Sequence, residues 1–392
     1  MDLFDKCEKF TRVSDVKALG LYPYFHALTT GQDTEVVMDN HRIVMIGSNN
    51  YLGLTSDPRL IAAGIQALEK YGSGCSGSRF LNGTLDLHDH LEKALAKFLH
   101  KEAVGTFSTG FQSNLGIISA IAGLGDVIIG DKENHASIYD ACRLSYAKLY
   151  RYEHNNMEEL EGLLKEHTGK GILIVTDGVF SMGGDIANLP AIVTLAKKYH
   201  ARVMVDDAHG LGVLGKHGRG TAEHFGLEEE VDIYMGTFSK SLASLGGYMA
   251  AKQQVIDYVK HVSRPFIFSA SITPASAACA LEALKILEAE PNRVSDLSAI
   301  ASYMRKGLIS RGIKIIESET PIVPIYTYDE ITTFKACKLL LERGVYVNPV
   351  IPPAVANGQC LLRTSYTATH TKEQIDFAID KIDEVLTELG VK

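Results

Sequence analysis

Val203-Met204-Val205-Asp206-Asp207-Ala208-His209 and, one strand later, Gly236-Thr237-Phe238-Ser239-Lys240-Ser241 decide how this chain is read. The first stretch is a hydrophobic strand that ends in a carboxylate, with an imidazole shortly after it. The second follows another apolar run, Val231-Asp232-Ile233-Tyr234-Met235, and sets a lysine among hydroxyls and small residues. Further apolar runs at 103–107, 127–130, 171–176 and 246–251 alternate with helical patterns. Strands that are hydrophobic on both faces and separated by helices predict an α/β fold, a mostly parallel sheet covered on both sides. On such sheets ligands sit beyond the carboxyl ends of the strands. Asp206, Lys240 and the Ser108-Thr109-Gly110 turn all fall there.

A lysine after a strand is ordinarily a solvated surface residue. Here Thr237, Ser239 and Ser241 offer hydroxyls to a phosphate, and Leu242-Ala243-Ser244-Leu245-Gly246-Gly247 adds no charge. Burial in such surroundings disfavours the ammonium form and favours imine chemistry. An acid, a histidine and a lysine at neighbouring strand ends are what a pyridoxal phosphate (PLP) enzyme requires. The lysine forms a Schiff base with the aldehyde, and an aspartate keeps the pyridine nitrogen protonated. Strand alternation puts Asp206 and Asp207 on opposite faces, so one of them reaches the ring. His209 could be a core histidine, or a hydrogen-bond partner of the phenolic oxygen. His135, in Asp131-Lys132-Glu133-Asn134-His135-Ala136-Ser137, is either a surface residue at a helix start or an imidazole stacked on the pyridine. The strand-to-helix turn Phe107-Ser108-Thr109-Gly110-Phe111-Gln112 can present backbone N–H groups to a phosphate.

Composition excludes several other classes. The chain has 392 residues, a net charge of −8 and no basic run, which argues against a nucleic-acid partner. Its six cysteines are scattered without a CxxC pair, as in a reducing cytoplasmic setting. The first residues carry acids rather than an apolar signal, and no apolar stretch is long enough to span a bilayer. Gly72-Ser73-Gly74-Cys75-Ser76-Gly77 matches the dinucleotide fingerprint in letters, but it follows a predicted helix over 57–71 instead of a strand. His88 and His90 lie two apart on a predicted helix and face different ways, so no metal site is expected.

Three segments are expected: an N-terminal segment (1–55), a large PLP-binding domain (56–289) and a small C-terminal α+β domain (290–392). The last is predicted as helix, strand (313–316), strand (322–326), helix (333–342), strand (345–348), strand (360–364) and a final amphipathic helix (372–389). The helix over 57–71 is read from Leu60, Ile61, Ile65 and Leu68 at helical spacing.

The motifs resemble those of the α-oxoamine synthases, a family of fold-type I PLP enzymes that condense an amino acid with an acyl-CoA and release carbon dioxide. The resemblance runs from Gly47-Ser48-Asn49-Asn50-Tyr51-Leu52-Gly53-Leu54 through the glycine-rich loop, His135, Asp177-Gly178-Val179-Phe180-Ser181-Met182, Asp206/His209 and Lys240, to Leu361-Leu362-Arg363-Thr364-Ser365. It implies a large, mostly parallel seven-stranded sheet domain and a small C-terminal α+β domain. It also implies that His135 stacks on the ring, Asp206 pairs with the pyridine nitrogen, and Ser181 and His209 approach the phenolic oxygen. Gly110 and Phe111 amides, with Thr237 and Ser239, would surround the phosphate. Arg363 and Asn50 would hold the amino-acid carboxylate. Ser271 would reach the phosphate of a neighbouring subunit, since the family's sites form at a homodimer interface.

Within the family, Gly77-Ser78-Arg79-Phe80-Leu81-Asn82-Gly83-Thr84-Leu85-Asp86 and Thr109-Gly110-Phe111-Gln112-Ser113-Asn114 are most similar to bacterial serine palmitoyltransferases. These join L-serine to palmitoyl-CoA, giving 3-oxosphinganine, CoA and carbon dioxide, the first step of sphingolipid synthesis. The resemblance thus implies L-serine and a long acyl-CoA as substrates, and a cytoplasmic protein that could touch the inner membrane face. The alternative is an 8-amino-7-oxononanoate synthase or glycine C-acetyltransferase using alanine or glycine. An aminotransferase or lyase of the same fold, or a non-catalytic subunit, is disfavoured by the full-length resemblance and by the presence of Lys240. One departure stands out: the loop Pro349–Asn357 keeps a Pro-Pro-Ala core but has no arginine. Some serine palmitoyltransferases are thought to engage the substrate carboxylate with an arginine there. Its absence leaves that contact to Arg363 and His135.

Overall fold

A computed structural model describes residues 2–392. In chain order the strands are β1 (Glu35–Met38), β2 (His41–Met45), β3 (Ala103–Phe107), β4 (Val127–Asp131), β5 (Lys148–Tyr152), β6 (Ile172–Asp177), β7 (Arg202–Asp206), β8 (Ile233–Thr237), β9 (Gly247–Ala251), β10 (Ile322–Tyr328), β11 (Val345–Tyr346), β12 (Asn348–Val350) and β13 (Cys360–Ser365). Seven of them form one sheet in the order β3-β9-β8-β7-β6-β4-β5. Its β5–β4–β6–β7–β8 run is parallel, and β9 is antiparallel to both β8 and β3.

Alternation explains why both faces are covered. Val127 and Ile129 of β4 enter one core with Ile174, Val203 and Val205, while Ile128 enters another with Leu173, Val175 and Met204. Side chains of period two that are apolar at every position need a helical layer on each side. The edge strand β5, with Lys148 and Arg151 exposed, is the one the sequence pattern misses.

The register lines up the chemistry-bearing ends. Asp177 pairs with Asp206, Asp206 with Met235, Thr237 with Gly247, and Gly247 with Phe107. Four strand ends therefore deliver Asp177, Asp206, Thr237 and the turn after Phe107 to one rim.

A second sheet, β10-β13-β12, is covered by helices Asn292–Ser310, Glu330–Glu342 and Lys372–Glu388. Val44 and Ile46 belong to the same core, and β2 pairs with β11, so the N-terminal hairpin is built onto this part of the chain. Asp39 and Asn40 at the hairpin turn both have positive φ, the geometry that a two-residue turn of the primed type needs.

Three details differ from expectation. Residues 313–316 form one bridge, Ile315 to Ile325, rather than a strand. Ile316 N–H donates to the Pro324 carbonyl, but Pro324 has no N–H to return the next rung. Residues 345–348 divide between β11 and β12 in two different sheets. In the helix Pro58–Tyr71 the buried face is Leu60, Gly64 and Ala67, packed toward helix Pro274–Ala289, while Ile61, Ile65 and Leu68 are about half exposed.

Candidate active site

The rim opens into a cavity of about 270 Å³ whose lining includes His135, Asp177, Asp206, His209, Thr237 and Lys240. Each residue arrives by a local cause. Asp206 ends β7 and faces the cavity. Asp207 turns to the opposite side, where it accepts from Thr221 N–H (2.8 Å) and Thr221 Oγ1 (2.6 Å), and burial pushes it up to about 6. His135 is the N-cap of helix Ala136–Leu144, its Nδ1 accepting from Ser137 N–H at 3.2 Å. The Phe111 ring stands edge-on to the His135 ring, with centroids 6.3 Å apart.

Helix Gly110–Ile121 starts against the end of β8. A Cβ on Gly110 would lie 2.8 Å from Thr237 Cβ, so this approach needs glycine. Thr109 Oγ1 accepts from Gln112 N–H and its carbonyl from Ser113 N–H, leaving the Gly110 and Phe111 amides at the open end of the helix. Thr237 Oγ1 lies 2.9 Å from Ser239 Oγ. Two amides at a helix N-terminus beside two hydroxyls make an anion cradle.

Electrostatics separates the titratable groups. Burial pushes the Lys240 amine down to about 8, against the pull of the Asp206 charge and with repulsion from Arg363. Burial, then the charges of Lys240, Arg363 and His135, holds His209 well below the usual imidazole range. Burial also lowers His135, although the Asp206 charge opposes it. Asp177 is raised well above the carboxylate range by burial and by Asp206 beside it.

Side chains that drew no individual role from sequence complete the site. Asn114 Nδ2 donates to Asp206 Oδ2 at 2.7 Å and to Ser137 Oγ at 2.8 Å. Tyr51 OH lies 2.7 Å from His209 Nδ1, and Asp177 Oδ2 accepts the His135 N–H at 3.1 Å. Tyr51, Asn114 and Asp177 stand inside the stretches that carry the family resemblance. Their partners, distant in sequence, are what a single sequence hides.

The other expected residues are placed less uniformly. Ser181 lines the cavity, and its carbonyl accepts from Arg363 Nε at 2.6 Å. Arg363, on β13, also donates to Asn49 Oδ1 at 3.1 Å. Asn50 spends its Oδ1 on Leu54 N–H and Thr55 N–H, and borders an adjoining cavity of about 530 Å³ that also touches Lys240 and Ser239. Ser271 donates to the Gly83 and Gly77 carbonyls and is not among the lining residues of either cavity. Gly72–Gly77 follows the helix Pro58–Tyr71, as the rejection of a dinucleotide fingerprint requires.

Asn50 Nδ2, Asn114 Oδ1 and Asp177 Oδ1 are buried without a protein partner. Orphaned polar atoms beside an anion cradle and an amine with a loosened proton fit a phosphorylated aromatic aldehyde. The residues present therefore suit the cofactor expected from the sequence.

Comparison with known proteins agrees. The serine palmitoyltransferase (SPT) of Sphingobacterium spiritivorum is 50% identical over 391 residues, covering 100% of this chain and 98% of that protein. The 8-amino-7-oxononanoate synthase of Thermosipho melanesiensis is 45% identical over 390 residues, covering 99% and 100%. A solved structure of SPT with a PLP internal aldimine superposes with a TM-score of 0.97 at 37% identity, covering 100% of both chains. The aminotransferase class I and II family matches residues 42–382. With this fold-type I sheet, this rim and these full-length relatives, the chain belongs to the aminotransferase class I and II family, in its α-oxoamine synthase branch.

Proposed function

We propose that this protein joins L-serine to a long-chain acyl-CoA, palmitoyl-CoA, forming 3-oxosphinganine, CoA and carbon dioxide. The observation that carries the reaction type is the buried Lys240 amine, held at about 8 in one cavity with Asp206 and His135. The choice of serine and palmitoyl rests on the SPT of S. spiritivorum, half identical over its length. PLP, when bound, supplies an aldehyde to hold the amino acid and a protonated ring that withdraws electron density from its α-carbon.

The chain's own groups do the rest. Lys240 would hold the aldehyde of the cofactor. Its amine, which burial pushes down to about 8, would be the group placed to take the Cα proton of the bound amino acid. Asp206 would pair with the ring nitrogen and favour its protonated form, and His135 would lie against the ring. His209, oriented by Tyr51, meets the phenolic oxygen together with Ser181. The Gly110 and Phe111 amides with Thr237 and Ser239 hold the phosphate. Arg363 and Asn50, whose Nδ2 has no protein partner, would grip the substrate carboxylate and so orient its Cα.

The site is completed by a second copy in a homodimer. The half-exposed stripe Ile61, Ile65 and Leu68 and the exposed Leu81 of the glycine-rich loop supply its apolar surface. Ser271, fastened to Gly77 and Gly83 of that loop, reaches across to the partner's phosphate. The chain divides into segments 1–55, 56–289 and 290–392. No helix among the described residues is long and apolar enough to cross a membrane, and we place the protein in the cytoplasm with a peripheral contact at the membrane face.

CoA release from PLP-loaded protein tests this. Serine, glycine, alanine and threonine are each paired with acetyl-, pimeloyl- and palmitoyl-CoA. Turnover confined to serine with palmitoyl-CoA supports the assignment. Turnover with alanine and pimeloyl-CoA would move the protein to the 8-amino-7-oxononanoate synthases, the reading favoured by the 45% identical relative.

A further inference from the structure

Asn114, Ser137 and His135 form a hydrogen-bonded line that ends on Asp206. Asn114 Nδ2 lies 2.7 Å from Asp206 Oδ2 and 2.8 Å from Ser137 Oγ, and Ser137 Oγ lies 2.7 Å from His135 Nδ1. The directions of these bonds follow from what each atom can give. A carboxamide nitrogen has two protons and accepts nothing, so both Asn114 contacts are donations. The opposite carboxamide orientation would press Asn114 Oδ1 against the Asp206 oxygen, acceptor on acceptor, at a residue with no solvent exposure.

Ser137 Oγ therefore accepts from Asn114 with one lone pair, which leaves its proton and a second lone pair for His135 Nδ1, so the backbone decides between them. The Ser137 backbone N–H donates to the same nitrogen at 3.2 Å. Nδ1 is an acceptor from two sides and carries no proton. Burial keeps the ring neutral, so its proton sits on Nε2, the nitrogen left for the cavity.

We propose that Asn114 is a positioning residue with two ends: through Ser137 it holds His135 in the Nε2–H tautomer, and directly it holds the Asp206 carboxylate by Oδ2. His135 then offers the cavity a hydrogen-bond donor and not a base. A carboxylate-bearing substrate is met by that N–H, and proton abstraction falls to Lys240. The consequence for turnover rests on the condensing-enzyme reading above. The tautomer and the hold on Asp206 do not.

The decisive variant is Asn114→Asp, which keeps the shape and reverses the hydrogen-bond sense. The new carboxylate and Asp206 share a proton, and the new oxygen accepts from Ser137 Oγ–H. Ser137 Oγ then turns a lone pair to His135 and draws the proton onto Nδ1. The measurement is 15N NMR of histidine-labelled protein at pH 7.5, with His135→Gln assigning the signal, and needs no substrate. We expect an Nε2–H imidazole in the parent and an Nδ1–H imidazole in Asn114→Asp. An Nδ1–H or doubly protonated His135 in the parent, or an unchanged signal in folded Asn114→Asp, overturns the proposal.

Asn114→Ala tests the other end by PLP titration, followed by absorbance. Loss of one donor to a buried carboxylate should weaken PLP binding by at least about tenfold. Unchanged PLP affinity in folded Asn114→Ala overturns the hold on Asp206. If the tautomer behaves as expected while the CoA-release grid shows no condensation, the function is wrong and the positioning role stands.

Discussion

Asp177 and Asp206 are register partners on the adjacent strands β6 and β7, and their carboxyls are held differently. Asp206 has a donor on each oxygen, Asn114 Nδ2 at 2.7 Å and Ala208 N–H at 3.1 Å. Asp177 has one, the His135 N–H, and its Oδ1 is buried without a partner. Burial, with the Asp206 charge next to it, pushes Asp177 well above the usual carboxylate range. Two carboxyls at one rim thus differ in how many donors hold them.

Asp177→Asn should then be tolerated, because burial already disfavours the charged form and the amide keeps the shape. Turnover should stay within a few-fold of the parent. Asp206→Asn should lower kcat by about 100-fold or more if Asp206 is, as proposed, the carboxylate that faces the cofactor ring. Steady-state CoA release measures both. Equal losses in the two variants would contradict different roles for the two carboxyls.

Lys240 provides a pH signature independent of turnover. The free amine is the nucleophile, so the rate of imine formation with added PLP should rise as pH increases through about 8. An ordinary lysine would show its rise near pH 10.4. Stopped-flow absorbance of cofactor-free protein reads the midpoint. Lys240→Ala should fold, bind PLP weakly and show no imine band.

Arg363 is aimed by two acceptors from different parts of the chain, the Ser181 carbonyl and Asn49 Oδ1. A planar fork can meet both and still present N–H groups to a carboxylate, whereas an ammonium cannot hold that geometry. Arg363→Lys should raise the serine KM by roughly tenfold, as one bidentate contact becomes a point charge. PLP affinity should be unchanged. A loss of PLP binding in this variant would place Arg363 at the cofactor instead.

The central sheet was legible because β4, β6, β7 and β8 are apolar on both faces, a pattern few other structures require. Asp206 was legible because it ends such a strand, and Lys240 because it follows one within three residues. The strand β5 was not, since its exposed Lys148 and Arg151 dilute the pattern at a sheet edge. The hairpin β1–β2 left a signal in Asp39-Asn40, two residues that tolerate positive φ, but its strands are short. Ile61, Ile65 and Leu68 have helical spacing without being core, because the close packing of Gly64 and Ala67 takes the other face of that helix. Asn114 stands in a quoted motif, yet its partner Asp206 is 92 residues away, and only folding reveals the contact.

His154 ties together two loops at the cavity. Its Nδ1 lies 3.0 Å from Asp131 Oδ1, at the start of the loop that carries His135, and its Nε2 lies 2.7 Å from Asp185 Oδ2, in the loop that carries Ser181. Glu133 is 4.0 Å away, and the Phe180 ring stands edge-on at 4.4 Å between centroids. Burial by itself disfavours the charge, but hydrogen bonds to Asp131 and Asp185 and their charges outweigh it and push the imidazole up to about 10. The folded state therefore keeps a proton that the unfolded chain releases at its ordinary value of about 6.5. This stability is present in full below that pH and is lost as pH rises through about 10. His154→Gln keeps hydrogen bonding without the charge. The gap in Tm between parent and His154→Gln should be widest near pH 6 and close by about pH 10.5. Thermal unfolding across that range measures it, and a gap that does not change with pH would mean that His154 is neutral in the fold.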